Sequence, residues 1–178
     1  MDQGGSFTYA STTVIMNATT TGKTITTSGG QEITFNTLRF TGVGGGWNIN
    51  GDIRAQNGIS VENGTVSGTA NVTVLGGSLS GNGTVSMGGG TTTVATTNTL
   101  GGTAPWTFNN LVLGNGIIVG TTTAATNATT TILGRLTIGA AHTFSLGGAH
   151  IDLRGSGTVF VESGVFLEGT STVRYSGT

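Results

Sequence analysis

The sequence predicts an all-β protein built as a parallel β-solenoid (β-helix), and three observations carry that prediction. Apolar residues alternate at period 2 over runs of only three to five residues, pairs containing Gly and Asn separate the runs, and short motifs recur along the chain. No apolar stripe of 3.6-residue period extends over ten residues, so helices are not expected.

The runs come first. F-T-Y (7–9), I-S-V (59–61), V-T-V-L (72–75), L-T-I (136–138) and V-F-V-E (159–162) each place alternate side chains on opposite faces of a strand. The turns come next: N-G, G-G, S-G and G-N pairs lie between the runs, where Gly and Asn tolerate the positive φ that a tight turn requires. Hairpins would account for such turns in any one window. The repeats favour a coil instead.

N-G-T-V-S occurs at 63–67 and again at 82–86, an offset of 19. ITFNTLRF (33–40) and WTFNNLVL (106–113) match at an offset of 73, LSGNGTV (79–85) matches LRGSGTV (153–159) at 74, and N-A-T-T-T occurs at 17–21 and 127–131. Strands this short cannot stabilise an isolated sheet. Stacked coil on coil about 4.8 Å apart, they form long parallel sheets over one continuous core. The shortest offset predicts irregular coils of about 19 residues, roughly nine in all, making a right-handed rod about 40 Å long. On this reading ITFNTLRF and WTFNNLVL are equivalent strands about four coils apart, their Phe and Leu filling the same core column.

Composition narrows the function classes. The chain of 178 residues is read as one domain, 1–178. Only 7 % of residues are charged and the net charge is −1, which gives no electrostatic case for nucleic acid or an anionic membrane. The six Lys and Arg residues are scattered. No apolar run reaches the roughly 18 residues of a membrane helix, and the start MDQGGSFTYA lacks the features of a signal peptide. With no cysteine there is no disulfide framework.

WTFNNLVLGNG (106–116), ITFNTLRFTGVGGGW (33–47), SLSGNGTVSMGGGTTT (78–93) and GTSTVRYSGT (169–178) carry a resemblance. The sequence resembles repeat units of very long bacterial cell-surface β-solenoid proteins of the filamentous-haemagglutinin and autotransporter-adhesin type. It looks closest to the Thr/Gly-rich units in giant surface proteins of candidate-phylum bacteria. The resemblance implies an extracellular, structural or adhesive rod with no catalytic residues to transfer.

The two ends also resemble each other. STVRYSGT (171–178) matches GSFTYAST (5–12), with Tyr175 against Tyr9. The match predicts an assembly interface formed by Phe7, Tyr9, Val173 and Tyr175, at which copies join head to tail or continue in tandem. An open solenoid end leaves strand edges that invite another chain, and head-to-tail contact builds an open filament. The alternative is an adhesin-type module whose lateral face recognises glycan or a cell surface.

Other constellations read as structural. Asp52 and Arg54, like Asp152 and Arg154, are two apart on a strand and form solvated pairs. Glu162 and Glu168 could suggest a glycosidase pair, but seven acids spread along the chain do not make the cluster such a site needs. His142 and His150, with only Asp152 nearby, are too few ligands for a metal and read as surface or turn histidines. No catalytic residue, metal or cofactor is expected. The Thr runs lack the strict T-x-T per coil that ice binding wants, and five N-x-T sequons (Asn17, Asn63, Asn71, Asn82 and Asn127) follow from Asn-rich turns and abundant Thr. Trp47 and Trp106 are read as core or sheet-edge fillers.

Overall fold

The computed structural model describes residues 10–27 and 30–177, which form a parallel β-solenoid with no helix among them. The first coil carries β1 (Thr13–Met16), β2 (Lys23–Ile25) and β3 (Ile33–Phe35), and the second β4 (Thr37–Phe40), β5 (Gly46–Ile49) and β6 (Ile53–Ala55). The third holds β7 (Ile59–Val61), β8 (Thr65–Gly68) and β9 (Val72–Val74). In the fourth and fifth, two strands suffice: β10 (Leu79–Ser80) with β11 (Thr84–Val94), then β12 (Asn98–Gly101) with β13 (Trp106–Leu113). The sixth returns to three, β14 (Gly120–Ala124), β15 (Thr129–Ile132) and β16 (Leu136–Ile138). β17 (His142–Ser145), β18 (His150–Leu153) and β19 (Phe160–Glu162) follow, and β20 (Val165–Leu167) and β21 (Thr172–Tyr175) close the described chain.

Stacking gives three faces. The first is an eight-stranded sheet, β1-β4-β7-β10-β12-β14-β17-β20. The second runs β2-β5-β8-β11-β13-β15-β18-β21, and the third β3-β6-β9 onto the same long strands and then β16-β19. Because β11 and β13 cross both, these two faces merge into one 13-stranded sheet. Eight coils at about 4.8 Å each make a rod about 38 Å long.

The period-2 alternation becomes columns of like side chains. Trp47, Val66, Val85 and Trp106 stack on the second face, and Val74, Val94, Leu113 and Ile138 on the third. All eight are buried. Burial of each large apolar side chain contributes about 1.5–3 kcal/mol, and no coil could bury its inner face alone. Both tryptophans are therefore core residues, and Trp106 Nε1 donates to the Gly83 carbonyl at 2.9 Å, which satisfies its one polar group.

Corners need different chemistry, since backbone groups there leave the ladder. Asparagine side chains supply it from one coil to the next. Asn71 Oδ1 accepts from Thr91 N–H at 2.9 Å, Asn110 Oδ1 from Arg135 N–H at 3.0 Å, and Asn57 Nδ2 donates to Asn36 Oδ1 at 2.6 Å. Between the halves of β11 the register shifts across Gly88, Gly89 and Gly90. Gly90 has φ of 63°, and a Cβ there would lie 2.5 Å from the Ala70 carbonyl oxygen, so this corner requires glycine.

The 19-residue repeat is a true register: Thr65, Val66 and Ser67 pair with Thr84, Val85 and Ser86. Other coils are longer, up to the 25 residues that separate Leu111 from its partner Leu136, so there are about eight coils rather than nine. The longer offsets do not mark equivalent strands. Phe35 lies in the third-face column of Ala55, Val74, Val94 and Leu113, whereas Phe108 lies in the second-face column of Met87 and Ile132. Leu38 belongs to the first face and Leu111 to the third. In the same way Leu79 pairs on the first face and Leu153 on the second.

Both octapeptides nevertheless share a design. Positions 3, 6 and 8 of each are buried and the intervening ones partly exposed, with Asn36 or Asn109 at the bend. The shared spelling encodes strand, corner, strand. It serves the third-to-first corner in one case and the second-to-third corner in the other.

Candidate assembly interface

The last coil is where inward columns stop being covered. Phe108, Ile132 and Leu153 are buried members of one column, and the next member is Tyr175, 63 % exposed. Trp106, Thr130 and Ile151 lead in the same way to half-buried Val173. Phe166 ends the column below Phe144, and Phe160 the one below Leu136. The three rings contact in sequence: Phe144 to Phe166 with centroids 6.0 Å apart, and Phe166 to Phe160 at 5.4 Å. Beside Tyr175 an open groove is lined by Leu153, Gly155, Gly157, Val159 and Gly177.

The outer side changes in this coil too. On the first face Thr121 and Thr123 stack on Thr143 and Ser145, but the next pair is Val165 and Leu167, both about half exposed. The T-x-T pattern thus ends after a short stretch. Of the predicted interface residues, Val173 and Tyr175 sit at this end. Phe7 and Tyr9 lie outside the described residues.

The remaining candidates stay apart. Arg154 Nε meets Asp152 Oδ2 at 2.7 Å, the pair the sequence predicts. Asp52 and Arg54 do not pair: Arg54 reaches back one coil to Glu32 at 2.5 Å. Asp52 instead accepts from Asn71 Nδ2 at 3.0 Å and Asn71 N–H at 2.9 Å, and these bonds hold its carboxyl below the usual carboxylate range. Asp152 is held low as well, first by the Ser176 hydroxyl that donates to it and then by Arg154 and Arg174. Glu162 ends the third face, while Glu168 lies beyond β20, so they form no paired-carboxylate site.

The sequence reading misplaced one histidine. His150 is exposed, but His142 is buried at the start of β17, 1 % exposed. It completes a polar chain inside the first face: Asn98 Nδ2 donates to Thr122 Oγ1 at 3.0 Å, and Thr122 Oγ1 lies 2.8 Å from His142 Nε2. His142 Nδ1 and Asn98 Oδ1 have no hydrogen-bond partner. Gly114 and Gly120 make room for the ring, since a Cβ on either would approach it within about 3 Å. Desolvation pushes the His142 pKa below its ordinary value. Position in a stacked column, invisible without the register, decides this burial. Among the described residues no group of three or more His, Cys, Asp or Glu could hold a metal ion.

Tyr175, Phe160 and Phe166 are the only described aromatics that are not buried, so the exposed aromatic surface of the described residues lies in the last two coils. Compared with protein-family models, with curated proteins and with solved structures, the chain finds no match.

Proposed function

We propose that this chain is a structural rod segment whose ends continue into further copies of itself, by head-to-tail stacking or as tandem units, in a filament or stalk on a bacterial surface. One observation carries the reading: core columns of the second face run without interruption to Val173 and Tyr175 and stop there uncovered. Covering Tyr175 as Leu153 is covered would recover about 1.5–3 kcal/mol that the open end forgoes. The last strand of each face, β19, β20 and β21, presents an edge to the next coil. The resemblance to bacterial surface solenoids supports an extracellular setting.

Glycan recognition through a lateral face gains less support. Sugar-binding surfaces rely on exposed aromatic side chains, and among the described residues no outward-facing strand position carries one. Among the described residues no group of three or more His, Cys, Asp or Glu comes together to favour a catalytic reading.

Electron microscopy of the purified chain over a concentration series tests the reading. Unbranched fibres of uniform width are expected. Monodisperse rods about 40 Å long at every concentration would refute stacking by this chain alone.

A further inference from the structure

We infer that His142 is a proton-operated latch beneath the corner between β13 and β14: neutral, its ring lets the corner close over it, and protonated, it releases the segment 114–120 into solvent while the coils stay stacked. The inference does not depend on the stacking reading.

The corner is tied down only at its ends. Gly114 N–H donates to the Val94 carbonyl at 2.7 Å, and Gly120 N–H to the Ala141 carbonyl at 3.2 Å. Between them, Ile117 N–H and Ile118 N–H donate to Asn115 Oδ1 at 3.0 and 2.8 Å, within the loop itself. Among the described residues, none of the hydrogen bonds of 115–119 reaches a neighbouring coil. Ile117 is 84 % exposed and Val119 81 %, so burial of side chains adds little hold. A segment with so few anchoring contacts is the kind that opens locally.

Both ends rest on His142. A Cβ at Gly114 would lie 2.9 Å from its Nδ1 and one at Gly120 3.0 Å, so the two glycine backbones close over this nitrogen. Nδ1 has no hydrogen-bond partner there. The other nitrogen, Nε2, lies 2.8 Å from Thr122 Oγ1, which accepts from Asn98 Nδ2 at 3.0 Å. The hydroxyl's own proton is thus free to go to Nε2, which leaves the imidazole proton on Nδ1, enclosed without an acceptor.

Protonation sharpens that mismatch. In the imidazolium both nitrogens donate. Thr122 can turn from donor to acceptor for Nε2, but Nδ1 gains nothing and the charge has no counter-ion. The strands packed against β17, namely β14, β16 and β20, hold no Asp, Glu, Lys, Arg or further His. Neither do β12 and the corners 114–119, 139–141 and 163–164. Glu162, which precedes the last of these corners, is exposed and accepts from Phe166 N–H at 3.2 Å. A buried, uncompensated ion is strongly disfavoured. Opening the corner lets water reach Nδ1–H and solvate the charge. It breaks the two end bonds and leaves the ladder between β14 and β17 in place.

Hydrogen exchange tests the latch, resolved by residue with NMR at pH 7.5 and 5 and corrected for intrinsic rates. With the corner open, His142 titrates near the ordinary value of about 6.5, so opening should become up to about 30-fold more frequent at pH 5. The amides of Gly114 and Gly120 should lose protection by up to that factor, while the ladder amides of β15 and β18 keep theirs. His142→Gln, which takes up no proton, should show no such pH dependence. Protection at Gly114 and Gly120 that does not move with pH would overturn the latch, as would the same pH dependence in the variant. Equal loss across β15 and β18 would overturn it too, since the opening would then be global. That last comparison is made within the wild-type chain and does not require the variant to fold.

Discussion

One column offers a direct test of where the rod ends. Phe108 and Tyr175 lie in the same inward column, three coils apart, yet Phe108 is 0 % exposed while Tyr175 is 63 % exposed. Phe108→Ala removes a ring enclosed between coils, close to Met87, Ile132 and, at a centroid distance of 6.1 Å, Trp106. Deletion of so buried an aromatic costs about 3–5 kcal/mol. Tyr175→Ala removes a side chain with only about a third of its surface covered, so its cost in the isolated chain should be about 1 kcal/mol or less. The assay is urea denaturation at a concentration too low for stacking. A variant with an unchanged slope and a lower midpoint reports stability. The same two variants should exchange rank in an assembly assay that corrects for stability, because only Tyr175 lies at the proposed joint. Equal losses of midpoint would refute the reasoning, since they would mean that Tyr175 is as enclosed as Phe108.

Two further predictions concern the interior. His142 is held neutral by burial, so its folded pKa lies below the unfolded value of about 6.5. Below that pH the unfolded chain binds the proton and the folded chain does not, so stability is complete above about pH 6.5 and falls as the pH drops toward the folded pKa. Thermal melts from pH 7.5 to 5 should show this loss, and His142→Gln should flatten it. An equal slope in the variant would exclude His142 as the cause. The glycine corner of β11 gives the second: Gly90→Ala meets both a positive φ and the Ala70 carbonyl and should cost more than about 1–2 kcal/mol, while Gly88→Ala, with open space around it, should cost about 1 kcal/mol or less. Comparable losses in urea melts would count against the described path of this corner.

The physics of the sequence made the architecture readable while hiding positions within it. Alternation of runs such as ISV and LTI reports inward and outward side chains directly, because the side-chain period of a strand is fixed. The repeated NGTVS was legible as one coil, since both copies sit side by side in register. The 73-residue match misled because a strand–corner–strand path has one local solution wherever it occurs. Phe35 and Phe108 obey the same bend and belong to different columns. Val173 and Tyr175 were put forward through the likeness of the termini, and the structure places both on β21 in the last described coil. The burial of His142 carried no such signal. It follows only from the residues stacked on it one coil away, a separation that varies with corner length.

That variation has a consequence for the rod as a measuring object. The rise of each coil is set by strand spacing and is indifferent to how many residues a corner holds. The fifth coil shows it: between β13 and β14 the chain spends residues 114–119 on a loop that carries Ile117 and Val119 far into solvent, while Leu100 still meets Ala124 in the ladder. Axial length is therefore counted in turns, not in amino acids. Sequence inserted at such a corner would alter the girth of the rod at one height and leave its span unchanged, so the scaffold can vary what it displays without changing how far it reaches.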